Sequence, residues 1–163
     1  MKISVGVVAS LAAVLFFGGV ATSSIAESKT TISKQAMEKA LAHQERGNKF
    51  DDDGAFKNAI SEYKSSLEFN PEDTNTLFNL GVVYLKVNES TNAVPILEKL
   101  SKLLPDDSEV YNLLGVAYSG AGKKSEAVSS WQKSLDLQPE QPKVKEMIAE
   151  IKNKPVVANN GKN

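Results

Sequence analysis

The chain has 163 residues, of which 24% are charged, 19 basic against 20 acidic, and it contains no cysteine. The length suits one domain of ordinary size, and the near-balanced charge provides no basic stripe to draw it to nucleic acid or an anionic membrane surface. The missing thiols exclude a disulfide framework, a thiolate metal site, c-type haem attachment and an acylated lipoprotein N-terminus.

In chain order, the first predicted element is an export segment. Residues 3 to 26 carry no charge after the lone Lys2, and Val5 to Val20 form an apolar run. A basic start, an apolar centre and a small-residue exit are the features of a secretory signal. Ser24-Ile25-Ala26, before Glu27, puts small side chains where a signal peptidase checks, and Gly19-Val20-Ala21 is a second candidate. The competing reading is an uncleaved anchor, since about 20 apolar residues can span a bilayer. Glycines at Gly6, Gly18 and Gly19 and the few large apolar side chains weigh against it. Either way the remainder is expected to be exported: periplasmic or secreted, with no membrane insertion after cleavage, or anchored at the inner membrane. Cleavage at Ala26 removes only Lys2 among the charges, so the balance stays near neutral.

Residues 27–39 follow as an N-terminal extension, in which Ile32, Ala36 and Ala40 extend the next helix backward by one or two turns. A 34-residue period then takes over. Glycines fall at Gly47, Gly81 and Gly115, and aromatics at Phe50, Tyr84 and Tyr118. Alanines stand at Ala59, Ala93 and Ala127, and prolines at Pro71, Pro105 and Pro139. Such self-similarity marks stacked supersecondary units, none of which can bury its apolar face alone. Within a copy the spacing is helical: Leu77, Leu80, Gly81 and Tyr84 share one face, and Ala93, Val94, Leu97, Leu100 and Leu104 share another. Gly54, Asn88 and Gly122 separate the two helices at positions where a left-handed residue ends a helix. The prolines stop the second helix. Asp73 and Asp107 are placed to cap the helix that follows. Pro95 falls about four residues into its helix, within the first turn, where N–H groups lack intrahelical partners.

The glycine and alanine columns permit close helix approach, and the bulky column Tyr63, Leu97 and Trp131 fills the space between units. This pattern resembles the tetratricopeptide repeat. The copies run from 40 to 73, 74 to 107 and 108 to 141, and the first departs most, with His43 and Arg46 replacing large apolar residues. The implied fold is all-α, a right-handed solenoid of three helix–turn–helix units. Residues 142–153 read as a capping helix, with an N1 proline at Pro142 and a stripe of Val144, Met147, Ile148 and Ile151. Residues 154–163 read as a polar, disordered tail.

The chemistry of catalysis is missing. His43 reads as a packing residue at the N-terminal edge. The run Asp51-Asp52-Asp53-Gly54 reads as an acidic turn, because a calcium loop with its glycine at Gly54 would begin at Lys49 and end at Ile60, neither a ligand. Ser24, Ser129 and Ser130 have no base in reach, and no phosphate loop is present. The chain is expected to be no enzyme and to need no cofactor or metal.

The resemblance implies a concave groove lined by the first helices. Carried over by register, it holds Leu41, Gln44, Asn48, Asp51 and Asp52 in the first copy and Asn75, Phe78, Val82, Leu85 and Lys86 in the second. The third contributes Glu109, Asn112, Val116 and Ser119. Helical geometry agrees, because Phe78, Val82 and Leu85 share a face that is not the face of Leu77, Gly81 and Tyr84. The chaperone-carboxylate clamp of the family is rejected: Asn48 and Asn79 match it, but Gln44, Glu109 and Leu113 occupy its cationic positions. The expected partner is an amphipathic or extended segment of another exported protein, with basic flanks, held at an apolar centre between acidic ends. Self-association into a structural assembly is the alternative, and no nucleic-acid partner is expected.

Overall fold

The computed structural model describes residues 18–153, with side chains from Ser33 onward. Most of the expected export segment and the polar tail lie outside the described residues. Seven helices and no strand make up the described stretch: α1 Gly18–Asp52, α2 Phe56–Phe69, α3 Thr74–Lys86, α4 Ser90–Leu103, α5 Ser108–Gly120, α6 Lys124–Leu137 and α7 Pro142–Asn153. Contacts divide the chain into residues 1–38 and 39–163. The described part of the first unit is the beginning of α1; the second unit holds the repeats. The helix ahead of the first repeat is far longer than the one or two turns expected, for α1 begins at Gly18. No proline or glycine interrupts residues 20–46, so nothing local stops it.

The repeat boundaries follow from backbone chemistry. Gly54, Asn88 and Gly122 have φ of 72°, 60° and 78°, the left-handed turn expected between the two helices of a unit. Asn88 is the only non-glycine with positive φ among the described residues. After each hinge the chain re-enters a helix without a side-chain cap. The α3 and α5 starts differ. Asp73 accepts from the Thr76 N–H at 2.8 Å, and Asp107 accepts from Glu109 and Val110 N–H at 2.9 and 3.3 Å. Pro95 lies deeper than the sequence suggested. Its helix begins at Ser90, so it is the sixth residue and not part of the first turn. The helix nevertheless continues to Leu103. Thr91, whose carbonyl loses its usual donor, is an exposed residue, where solvent is available as a substitute donor.

Each helix from α2 to α7 packs on its neighbour in sequence, and α3 also packs on α5. The glycine column sets these distances. A Cβ at Gly47 or Gly81 would lie 2.6 Å from the side chain of Tyr63 or Leu97, and one at Gly115 would collide with the Trp131 indole. The bulky column therefore fills space inside its own unit, against its own glycine, and not only between units. Burial is complete there: Tyr63, Leu97 and Trp131 are all at most 2% exposed. One buried cluster spans Ala59 to Ala117, and a second joins Ala127 and Trp131 of α6 to Val144 and Ile148 of α7. Two buried serines tie the helices of a pair together. Ser66 Oγ donates to the Ala40 carbonyl at 2.8 Å, and Ser134 Oγ donates to the Ser108 carbonyl at 2.7 Å. A buried hydroxyl needs such a partner to offset its lost hydration.

Candidate binding groove

The register positions expected to face the groove show a repeating exposure. Leu41, Asn75 and Glu109 are exposed in all three copies. Gln44, Phe78 and Asn112 are half-buried, as are Asp51, Leu85 and Ser119. Asn48 and Val116 are exposed and Val82 is half-buried, while Asp52 and Lys86 are exposed. On the opposite side of α3, Leu77, Gly81 and Tyr84 are buried. Phe78 and Leu85 have a double role, because both also pack on the core cluster. Val116, 36% exposed, is the most accessible apolar residue of the strip on α3 and α5.

Polar contacts redistribute the charge the sequence assigned to the groove. Lys86 Nζ donates to both Asp51 carboxylate oxygens, at 2.7 and 2.9 Å, and lies over the Phe56 ring, 5.6 Å from its centroid. Asp51 is therefore neutralised in place and is not a free anion waiting for a basic flank. Asn48 Oδ1 accepts from the Tyr63 hydroxyl and from Asn79 Nδ2, each at 2.9 Å, which joins the first two copies across the groove. Burial, and then the nearby Asp51 and Asp52 charges, push the Tyr63 phenol up to about 12. Gln44 Nε2 donates to Asp73 at 3.4 Å. The Asn112 carbonyl accepts from Trp131 Nε1 at 3.1 Å, whereas Asn112 Oδ1 is buried with no partner among the described residues. Asp52 and Glu109 remain exposed and without an ion pair among the described residues.

At the first copy the structure accounts for the departures from the repeat pattern. His43 Nδ1 lies 2.8 Å from Glu62 Oε2 and 2.7 Å from Arg46 Nη2, while Arg46 Nε donates to the same Glu62 oxygen at 2.9 Å. The His43 ring stacks on Phe69 with centroids 5.8 Å apart. The hydrogen bond from His43 is the main reason that the Glu62 carboxyl is held below its ordinary range, with Arg46 adding to it and partial burial opposing it. Glu62 was not visible as a site residue, because its partners lie 16 and 19 positions away on another helix. Farther along, the Tyr118 hydroxyl donates to Glu98 at 2.6 Å, and burial followed by that carboxylate pushes it up to about 12. Among the described residues no group of three or more His, Asp or Glu side chains is placed to hold a metal ion. No described helix is long and apolar enough to cross a membrane.

Paired helices in a 34-residue register, buried on one face and open on the other, define a helical repeat scaffold. Two family models described as tetratricopeptide repeat match residues 52–116 and 108–141, together more than half of the chain. The chain belongs to the tetratricopeptide repeat family. Solved structures agree. MamA 41-end from Desulfovibrio magneticus RS-1 superposes with a TM-score of 0.66 at 26% identity, over 69% of this chain and 63% of that one. This chain thus spans less than two thirds of the MamA structure. The second tetratricopeptide domain of human RPAP3, solved in complex with an HSP70 peptide, gives a TM-score of 0.67 at 24% identity, over 73% and 99%. The Arabidopsis OM64 tetratricopeptide domain gives 0.66 at 18% identity, over 73% and 98%. Comparison with curated protein sequences finds no match.

Proposed function

We propose that this protein is an exported, non-catalytic adaptor of a cell-envelope assembly, which holds a segment of another protein along Phe78, Val82, Leu85 and Val116. The observation that carries the reading is that this apolar strip, half-buried at Phe78, Val82 and Leu85 and exposed at Val116, lies on helices whose opposite sides, with Leu77, Gly81 and Tyr84 and with Val110, Leu114 and Gly115, are buried. An accessible contiguous apolar surface in a folded domain is a contact surface by default. The RPAP3 domain solved with a peptide shares this fold and supports a peptide as the class of ligand. The groove chemistry here is different, for Gln44, Leu113 and Glu109 leave a terminal carboxylate without a cation. Export rests on the Val5 to Val20 run and the Ser24-Ile25-Ala26 exit. It predicts a mature N-terminus at Glu27, readable by intact mass.

The test of binding combines Val82→Ser with Val116→Ser, which spares the core contacts of Phe78 and Leu85. The pair should cost little stability, roughly 1 kcal/mol or less, since neither side chain is fully buried. Proteins recovered from a native envelope fraction by the wild type should be lost with the variant, while its circular dichroism melt stays close to wild type. Recovery of the same proteins by the folded variant would contradict the reading.

A further inference from the structure

The groove does not stop at the third repeat. Helix α7 continues the 34-residue register as though it opened a fourth unit. Thr76, Val110 and Val144 form one buried column, and Leu80, Leu114 and Ile148 form another. The groove column Asn48, Val82 and Val116 then continues at Glu150. At this position the side-chain character changes from apolar to anionic. Beside it lies an open cavity of about 340 Å³, whose apolar side chains include Leu85, Val116, Met147 and Ile151 and whose polar ones are Asn88, Ser90, Ser119 and Glu150. Met147 and Ile151 are half-buried, because no described element packs over α7 as α4 and α6 pack over α3 and α5. Glu150 is exposed and has no ion pair among the described residues. At the opposite end of the groove Asp51 is already held by Lys86, whereas Asp52 there and Glu109 on α5 are exposed without an ion pair among the described residues.

We infer that α7 is part of the binding surface, forming with α3 and α5 a subsite that takes one large apolar side chain of an extended partner segment, with a Lys or Arg next to it meeting Glu150. The inference rests on the groove reading above and gives the partner a chemistry. The volume accommodates a side chain of leucine, methionine or phenylalanine size and lies at the small end of ligand pockets. The walls supply no cation for an acidic neighbour, and Glu150 repels one. An unpaired carboxylate at the rim of an apolar site adds selectivity more than affinity, and salt should weaken that selectivity.

The experiment pans a random twelve-residue peptide display library against the full chain and against Glu150→Lys, Glu150→Gln and the Val82→Ser, Val116→Ser pair. The wild type should enrich sequences with a large apolar residue within two positions of Lys or Arg. Replacing that basic residue by Glu in a selected synthetic peptide should weaken binding about two- to fivefold at low salt, as one partly exposed charge pair implies. Glu150→Lys should invert the preference, and Glu150→Gln should flatten it. Enrichment without a basic neighbour, or an unchanged preference in a folded Glu150→Lys, overturns the subsite. If peptides are still lost with the Val82, Val116 pair, the groove reading survives that outcome. No enrichment at all overturns both readings. Displacement of bound peptide by self-association of the chain, seen in sedimentation, assigns the site to a second copy and overturns this partner chemistry.

Discussion

Asn88 carries a constraint that its two counterparts avoid. Gly54 and Gly122 reach positive φ without a Cβ, while Asn88 holds φ of 60° with one. Asparagine tolerates this region better than most residues but less well than glycine. Asn88→Gly should therefore leave the melting temperature unchanged or raise it slightly, whereas Asn88→Val should destabilise by about 1–2 kcal/mol. Thermal melts of both variants check the pair. Glu62 makes a prediction of opposite kind. Its folded pKa is lowered from the ordinary 4.5, with His43 the main cause. The stabilisation is complete above the unfolded value and is lost as pH falls through the lowered folded value. Glu62→Gln should therefore melt below wild type at neutral pH, and the gap should close as pH drops below 4.5. A gap that stays constant to acid would mean that the ion pair contributes nothing. Positions such as Asn88 were legible in the sequence because a turn depends on local backbone chemistry. Glu62 and the Lys86–Asp51 pair were not, since those partners meet only after helices from distant parts of the chain have packed.

At the scale of elements, α7 does two things at once. Its inner side buries Val144 to 2% and Ile148 to 8% against Ala127 and Trp131. Each such side chain is worth roughly 1.5–3 kcal/mol as an upper bound. Truncation after Gln141 should thus lower the melting temperature by at least about 5 °C or cause aggregation. An unchanged melt would show that the helix is not part of the fold. The apolar stripe of α7 was readable from Val144, Met147, Ile148 and Ile151 as a cap. Its contribution to the groove was not, because a terminal stripe with one glutamate looks the same whether the acid faces bulk water or a cavity. Only the placement of Leu85 and Val116 beside Met147 and Ile151 separates the two. Pro95 shows a similar limit. The sequence places it near a helix start, and a shift of two residues in that start moves it from the first turn into the second.

On the scale of the whole molecule, the repeats form a rigid support for an open face. The Gly47–Tyr63, Gly81–Leu97 and Gly115–Trp131 contacts fix how closely the paired helices approach, and the hinge residues fix where the chain turns. These contacts repeat every 34 residues, so the side chains between them are presented in columns: Asn48, Val82, Val116 and Glu150 is one. Periodicity made the architecture legible, while the proposed partner chemistry rests on the few column positions that break it. The proposed adaptor role requires that this column contact another protein. Site-specific photocrosslinking in producing cells tests it most directly, with p-benzoylphenylalanine replacing Val116 in one strain and the exposed Lys133 of α6 in another. A discrete adduct with a different protein is expected from position 116 and none from position 133. Adducts from position 133 alone, or an adduct from 116 with the mass of two copies of this chain, would contradict it.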